Sequence, residues 1–319
     1  MDNKNYSIYL DLLRLLAAVG VVLSHIRLLE VGPLAIRQYF PGFGHEFVIV
    51  FFVLSGYVIA WSVQRKPGNL GDYTLDRIAR ICSVAFPALL FSTCVSLALE
   101  MGTLTDSLIA LGANLLFIGQ SWSIASVPAS NPAYWSLCYE VLYYAIFACY
   151  FYLTGRTRIF ACIAFALVAG PKILLLMPCW LLGVAAFQCN VRLERNYALL
   201  VAIGSVFGLG MLTYLGFGRW MSLNTTVADY GWSNHFAKDT ITATFIALHL
   251  YAMRFVDIRI PAWVSSFAVK GAAQTFTLYL IHFPIILIVR SLLDETSSLQ
   301  TLFYALIAIA VATLFVSSQ

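Results

Sequence analysis

The stretch IYLDLLRLLAAVGVVLSHIRL, residues 8–28, decides how the rest of the chain is read. It is apolar over a length sufficient to cross a hydrocarbon core of about 30 Å as a helix, yet it carries Asp11, Arg14 and His25 within it. No small-residue cleavage pattern follows, so it reads as a retained span and not as a secretory signal. Working outward, runs of the same kind recur at 46–63, 81–99, 135–153, 158–170, 172–189, 197–215, 238–254, 271–290 and 298–316. They are continuous and do not alternate, which is the pattern of helices and not of a membrane β-barrel. The expected fold is therefore all-α: a polytopic membrane helix bundle with about ten transmembrane helices, forming one domain over residues 1–319.

Composition excludes the soluble alternatives. Apolar residues make up 61% of the chain and charged residues 11%, and the mean hydropathy is +0.84. A water-facing surface cannot be built from so few charges. The net charge of +4 is modest, and no nucleic-acid partner is expected. Seven cysteines lie scattered in apolar segments without a C-x-x-C pair. They read as buried small hydrophobes, with no disulfide and no metal site expected. With the N-terminus in the cytoplasm, Lys4, Arg65, Lys66, Arg77, Arg80, Arg156, Arg158, Arg192, Arg195, Arg254, Arg259 and Lys270 fall on the inner side. The outer side then holds only Arg27, Arg37, Lys172, Arg219, Lys238 and Arg290, the bias that the positive-inside rule requires. Gly170-Pro171-Lys172 reads either as a tight turn between two short spans or as a break in a re-entrant pair. Two longer outer segments, 100–134 and 216–237, carry Trp122, Trp220, Asn234 and His235 and have the composition of loops that cover a pocket.

Ionisable groups inside apolar spans are costly and therefore candidates for function. Arg14 and His25 are separated by eleven positions, which at helical pitch places them within about 20° of one face and about 16 Å apart in depth. Asp11, three residues before Arg14, is placed for a local ion pair. In the second span, Ser55 and Gly56 of FFVLSGY form a small pair that admits a neighbouring helix or a ligand. Arg77 and Arg80, in the inner loop just before the third span, form a fork suited to phosphate or pyrophosphate, although topology alone also favours arginine there. In the fourth span, Glu140 of WSLCYE lies in the outer half of the membrane, as His25 does. It calls for an imidazole, a substrate hydroxyl, a tyrosine or a backbone group as partner. His282 in YLIHFP is a further midmembrane candidate.

Taken together and in this order, Arg14-x10-His25 with Asp11, FFVLSGY, Arg77-x-x-Arg80, Trp135-Ser136-Leu137-x-x-Glu140 and YLIHFP with His282 resemble membrane acyltransferase family 3. That family includes bacterial O-acetyltransferases of lipopolysaccharide and exopolysaccharide. The resemblance spans nearly the whole chain. The chain stops soon after the last span, so no appended SGNH-hydrolase-like domain is expected. The resemblance implies a protein of the bacterial inner membrane that transfers an acyl group, usually acetyl from acetyl-CoA, onto a carbohydrate hydroxyl. It implies acyl-CoA as a co-substrate, with no tightly bound cofactor, and a glycan acceptor outside. His25 and Glu140 are then the catalytic candidates, with His25 as proton acceptor and Glu140 orienting it or binding the acceptor. Arg14, Arg77 and Arg80 would hold the coenzyme, and Asp11, Ser55, Trp135, Ser136 and His282 would support the site. An acyl-Ser55 intermediate and direct transfer both stay open. A transporter of a small metabolite or lipid-linked saccharide, working by alternating access, would use similar buried polar groups. The absence of inverted repeats counts against it. A noncatalytic subunit of a polysaccharide export complex is the third reading. Oligomeric state is not specified by small-residue helix faces, which serve internal packing and association equally.

Overall fold

A computed structural model describes residues 4–65, 68–215, 230–293 and 296–317 of the chain. Lys66, Arg219 and Trp220, and most of the expected 216–237 loop, lie outside the described residues. The helices are α1 (Lys4–Leu28), α2 (Leu34–Arg37), α3 (Gly44–Arg65), α4 (Leu70–Ala98), α5 (Leu104–Leu115), α6 (Trp135–Tyr152), α7 (Gly155–Gln188), α8 (Arg195–Tyr214), α9 (Phe236–Met253), α10 (Ala262–Leu292) and α11 (Leu299–Ser317). No strand occurs among the described residues. Six helices (α1, α3, α4, α7, α8 and α10) are long and apolar enough to cross a membrane. Helices α6 and α9 are 18 residues each. Their apolar character is diluted by Glu140 and a run of tyrosines in the first, and by Lys238, Asp239 and His249 in the second.

Helices α1, α3, α6, α9 and α10 and the second half of α7 surround the core, which includes Tyr57, Tyr139, Tyr143, Trp180 and Leu280. Helix α8 turns Leu200, Ile203 and Phe207 outward, and α11 does the same with Phe303 and Val311. In water such faces would drive aggregation, whereas lipid solvates them without penalty. At the proximal end, where α1 begins, the Tyr6 hydroxyl donates to the Leu250 carbonyl. There Arg254 Nη1 donates to the Ala186, Phe187 and Cys189 carbonyls left open as α7 ends. The distal end carries His25, His45, Trp135 and Asp239.

Two glycines set the closest helix contact. A β-carbon on Gly56 would overlap the Trp180 carbonyl oxygen, and one on Gly183 would overlap the Val53 carbonyl oxygen. Both obstacles are backbone and cannot rotate away, so α3 and α7 can approach this closely only with glycine at both positions. The substitution Gly183→Val is expected to destabilise the fold by about 3 kcal/mol or more, the upper range for overpacking. Thermal unfolding in detergent, followed by size-exclusion chromatography, checks this; an unchanged midpoint would show that α3 and α7 are not so tightly apposed.

Three expectations from the sequence are corrected. Arg77 and Arg80 are not in a loop before the third span, because α4 starts at Leu70, capped by reciprocal Asn69 and Asp72 bonds. The 100–134 segment is not a simple outer loop, since Thr103 and Asp106 form the same capping box and start α5. The cysteines are not uniformly buried: Cys138, Cys149 and Cys179 are, but Cys94 is exposed on α4, where an apolar setting does not require burial in protein. Gly170 resolves the two alternatives for 158–189 only in part. Its φ of 72° and ψ of 177° break α7 there, a conformation open to glycine.

Candidate active site

A cavity of about 410 Å³ runs through the centre of the bundle. Toward the proximal side it is lined by Asp11 and Arg14 of α1 and by Arg77 and Arg80 of α4. Asp11 and Arg14 are 3.7 Å apart, as their spacing predicts. Arg77 Nε is buried with no hydrogen-bond partner among the described residues, and its guanidinium lies over the Tyr73 ring, 5.6 Å from the centroid. Three guanidinium groups thus share the cavity with two carboxylates, Asp11 and Glu140. Crowding like charges away from bulk water is unfavourable unless an anion joins them.

Ser55, Glu140 and Tyr144 line the middle. Ser55 Oγ donates to Glu140 Oε1 over 2.7 Å, and the Tyr144 hydroxyl donates to the same oxygen. Trp180 Nε1 donates to Ser55 Oγ over 3.2 Å. These bonds satisfy a carboxylate that would otherwise be costly to bury. They also tie Glu140 to α3 and α7. Of the partners left open by the sequence, a tyrosine is the one found, joined by Ser55, and no bond to His25 occurs among the described residues. Tyr144 was legible in principle, since it follows Glu140 by four residues on the same helix face.

Ser136 and Tyr279 line the distal end. The Tyr279 hydroxyl donates to the Ala133 carbonyl over 2.9 Å and lies 2.8 Å from Ser136 Oγ, which must therefore donate to it. Immediately beyond are His25 and His282, with Tyr279 and His282 ring centroids 6.1 Å apart. His25 Nδ1 is 2.8 Å from His282 Nε2, and the two rings stack at 5.0 Å. His282 Nδ1 is 3.1 Å from the Leu278 carbonyl. A carbonyl only accepts, so the network assigns the proton of His282 to Nδ1 and leaves Nε2 as acceptor. His25 then donates from Nδ1, and its Nε2 keeps a free lone pair. The bonded arrangement selects the tautomer of His25 whose basic nitrogen is Nε2.

Pro284 helps to hold this segment. It lacks an N–H, so the Leu280 carbonyl loses its helical donor; Asn131 Nδ2 supplies one over 2.8 Å and also donates to Ser92 Oγ. The sequence therefore located Asp11, Arg14, Ser55, Arg77, Arg80, Ser136 and Glu140 on one cavity and His25 with His282 at its end. Trp135, buried beside the cavity, packs edge-on against Phe52 with ring centroids 6.0 Å apart. Tyr144, Tyr279 and Trp180 were not singled out from the sequence.

A membrane-embedded helical protein with a polar, arginine-rich core cavity is the class that fold and site define. The acyltransferase-domain family matches residues 7–317, so the chain belongs to that family and is an acyltransferase. No curated protein and no solved structure matches it.

Proposed function

We propose that the protein moves an acetyl group from cytoplasmic acetyl-CoA to a hydroxyl of an extracytoplasmic glycan, such as O-antigen or exopolysaccharide. The observation that carries this reading is the polarity of the cavity: three guanidinium groups, only one of them in an ion pair among the described residues, at one end, and a proton-accepting imidazole just past the other. Arg77, Arg80 and Arg14 hold the phosphates of the coenzyme through charge-assisted bonds. The pantetheine arm extends past Ser55 and Glu140, and the thioester reaches Tyr279 and His25. His25 Nε2 takes the proton of the attacking hydroxyl. The sugar oxygen bonds to the acyl carbon, the carbon–sulfur bond breaks, and the imidazolium returns its proton to the departing thiolate. His282 keeps His25 in the required tautomer. Transfer is direct, since Ser55 donates its hydrogen bond into the Glu140 cluster and stands apart from the imidazole pair.

The inner-membrane placement rests on the distribution of arginine and lysine, with the N-terminus of α1 cytoplasmic. Counting the two halves of α7 on either side of Gly170 separately, and adding α6, α9 and α11, supports about ten crossings in a single domain. Comparing the masses of surface glycans from cells with and without the protein tests the reading. A mass difference of one acetyl group per modified repeat is expected, restored by the wild-type chain and not by His25→Ala. Identical glycans would refute the assigned acceptor, and a different acyl mass would refute acetyl as the donor group.

A further inference from the structure

A second polar cluster stands at the distal end, on the far side of Trp135 from the cavity. His45, at the start of α3, places Nε2 2.9 Å from Asp239 Oδ2, and Asp239 is fully buried. With the carboxylate accepting from Nε2, Nδ1 of His45 has no partner among the described residues, and the side chain is 22% exposed. The Asp239 Oδ1 atom is likewise buried without a partner. Two indoles stand beside this pair. Trp135 and Trp232 are parallel within 9° at 5.0 Å, and His45 is parallel to both, 5.6 Å from Trp135 and 6.5 Å from Trp232. His45 is thus nearer Trp135 than Trp232, so it does not cover the opposite face of the Trp232 indole. Trp135 is 2% exposed and Trp232 is 39% exposed. One indole is a buried backing, and the other is partly exposed, with no further ring among the described residues stacked on its outer face.

The cluster lies level with the imidazole pair. A β-carbon on Gly44 would collide with Ser24 Oγ, so α1 and α3 pass each other at these residues. His25 and His45, each one residue further on, share that depth on adjacent helices.

We propose that this corner is the subsite for the acceptor glycan. A neutral pyranose ring lies with its C–H face on Trp232, and one of its hydroxyls bonds to His45 Nδ1. The inference rests on the acyl-transfer reading for its biological meaning, but the site itself is defined by its own geometry. An indole supplies broad apolar contact at small entropic cost, and a hydroxyl can donate or accept, so it satisfies Nδ1 in either protonation state. Asp239 holds the imidazole ring in place for that bond. A glycan of more than one ring seated here can extend toward His25 at the same level, while the coenzyme arrives from the opposite side. The neighbouring ion pair of Lys238 and Glu46 also ties α9 to α3. A purely structural clamp would account for both charge pairs, but not for the exposed indole or for an Nδ1 without a partner among the described residues.

Saturation-transfer difference NMR on the protein in nanodiscs, with methyl glucoside, galactoside, mannoside and rhamnoside as probes, tests this directly. At least one probe is expected to bind the wild type, with saturation strongest on its ring C–H face. Trp232→Ala should weaken binding of that probe about tenfold or more and His45→Gln severalfold. Trp232→Phe should retain part of it, and Lys238→Met, which breaks only the clamp, should leave it intact. No binding by any probe, binding unaffected by Trp232→Ala, or equal loss in Lys238→Met would each overturn the proposal. Adding labelled acetyl-CoA separates the two readings: sugar binding at Trp232 without acetyl transfer would remove the acyl-transfer reading and leave the subsite standing.

Discussion

Replacing His25 by alanine is expected to reduce acetyl transfer by about 10²- to 10⁴-fold, the range for loss of a positioned general base, while the protein still inserts and folds. The reason is local to one nitrogen: His25 Nε2 is the lone pair left over once Nδ1 has donated to His282. The same reasoning separates His25 from its partner. His282→Leu removes the acceptor for Nδ1 and frees the imidazole to adopt the wrong tautomer, so a fall of about a hundredfold in kcat is expected. His282→Gln offers a side-chain carbonyl to the same N–H and should recover much of that loss. His25→Gln should recover none, because an amide is not a base. Rates of label transfer from acetyl-CoA, normalised to folded protein, check the series. Wild-type turnover in His25→Ala would exclude this histidine as the base, and equal rates for His282→Leu and His282→Gln would remove the positioning role.

The second large effect belongs to the other end of the cavity. Arg77→Gln and Arg80→Gln are each expected to raise the KM for acetyl-CoA about 10- to 100-fold, from about 1.5–3 kcal/mol per hydrogen bond to a charged group. The KM for the sugar should stay unchanged. S-acetylpantetheine, which has no nucleotide and no phosphates, provides the control. It should serve the wild type poorly, and neither substitution should make it a worse donor. If the arginines instead only anchor the topology, the substitutions would lower protein abundance and leave the KM where it was. If they act on the thioester itself, both donors would be affected alike.

Much of the cavity was legible in the sequence because helices impose a period. Arg14 lies three residues after Asp11, and the pair forms at 3.7 Å within one turn. Arg77 and Arg80 share a helix face, which required only that the helix begin early enough; the Asn69–Asp72 capping box makes it do so. His282 stood out as an ionisable group in an apolar run. The partner of Glu140 was left open among an imidazole, a substrate hydroxyl, a tyrosine and a backbone group, because depth in the membrane is readable from position along a helix, whereas the angular partner across the bundle is not. The structure supplies Tyr144 and, from α3, Ser55 to Glu140, while α10 supplies His282 to His25. His45 and Asp239 escaped notice for the same reason: each sits at the first turn of its helix, where a polar residue is unremarkable.

By itself the sequence determined that this is a helical membrane protein, the approximate positions of its apolar runs, and the polar residues set within them. Composition and the 3.6-residue period are local properties, and they suffice for that. Only the tertiary structure decided which of those residues meet. His25 and His282 are 257 positions apart, and Ser55 and Glu140 are 85 apart. Their contacts follow from how closely whole helices pack, as where Gly56 and Gly183 let α3 and α7 touch backbone to backbone.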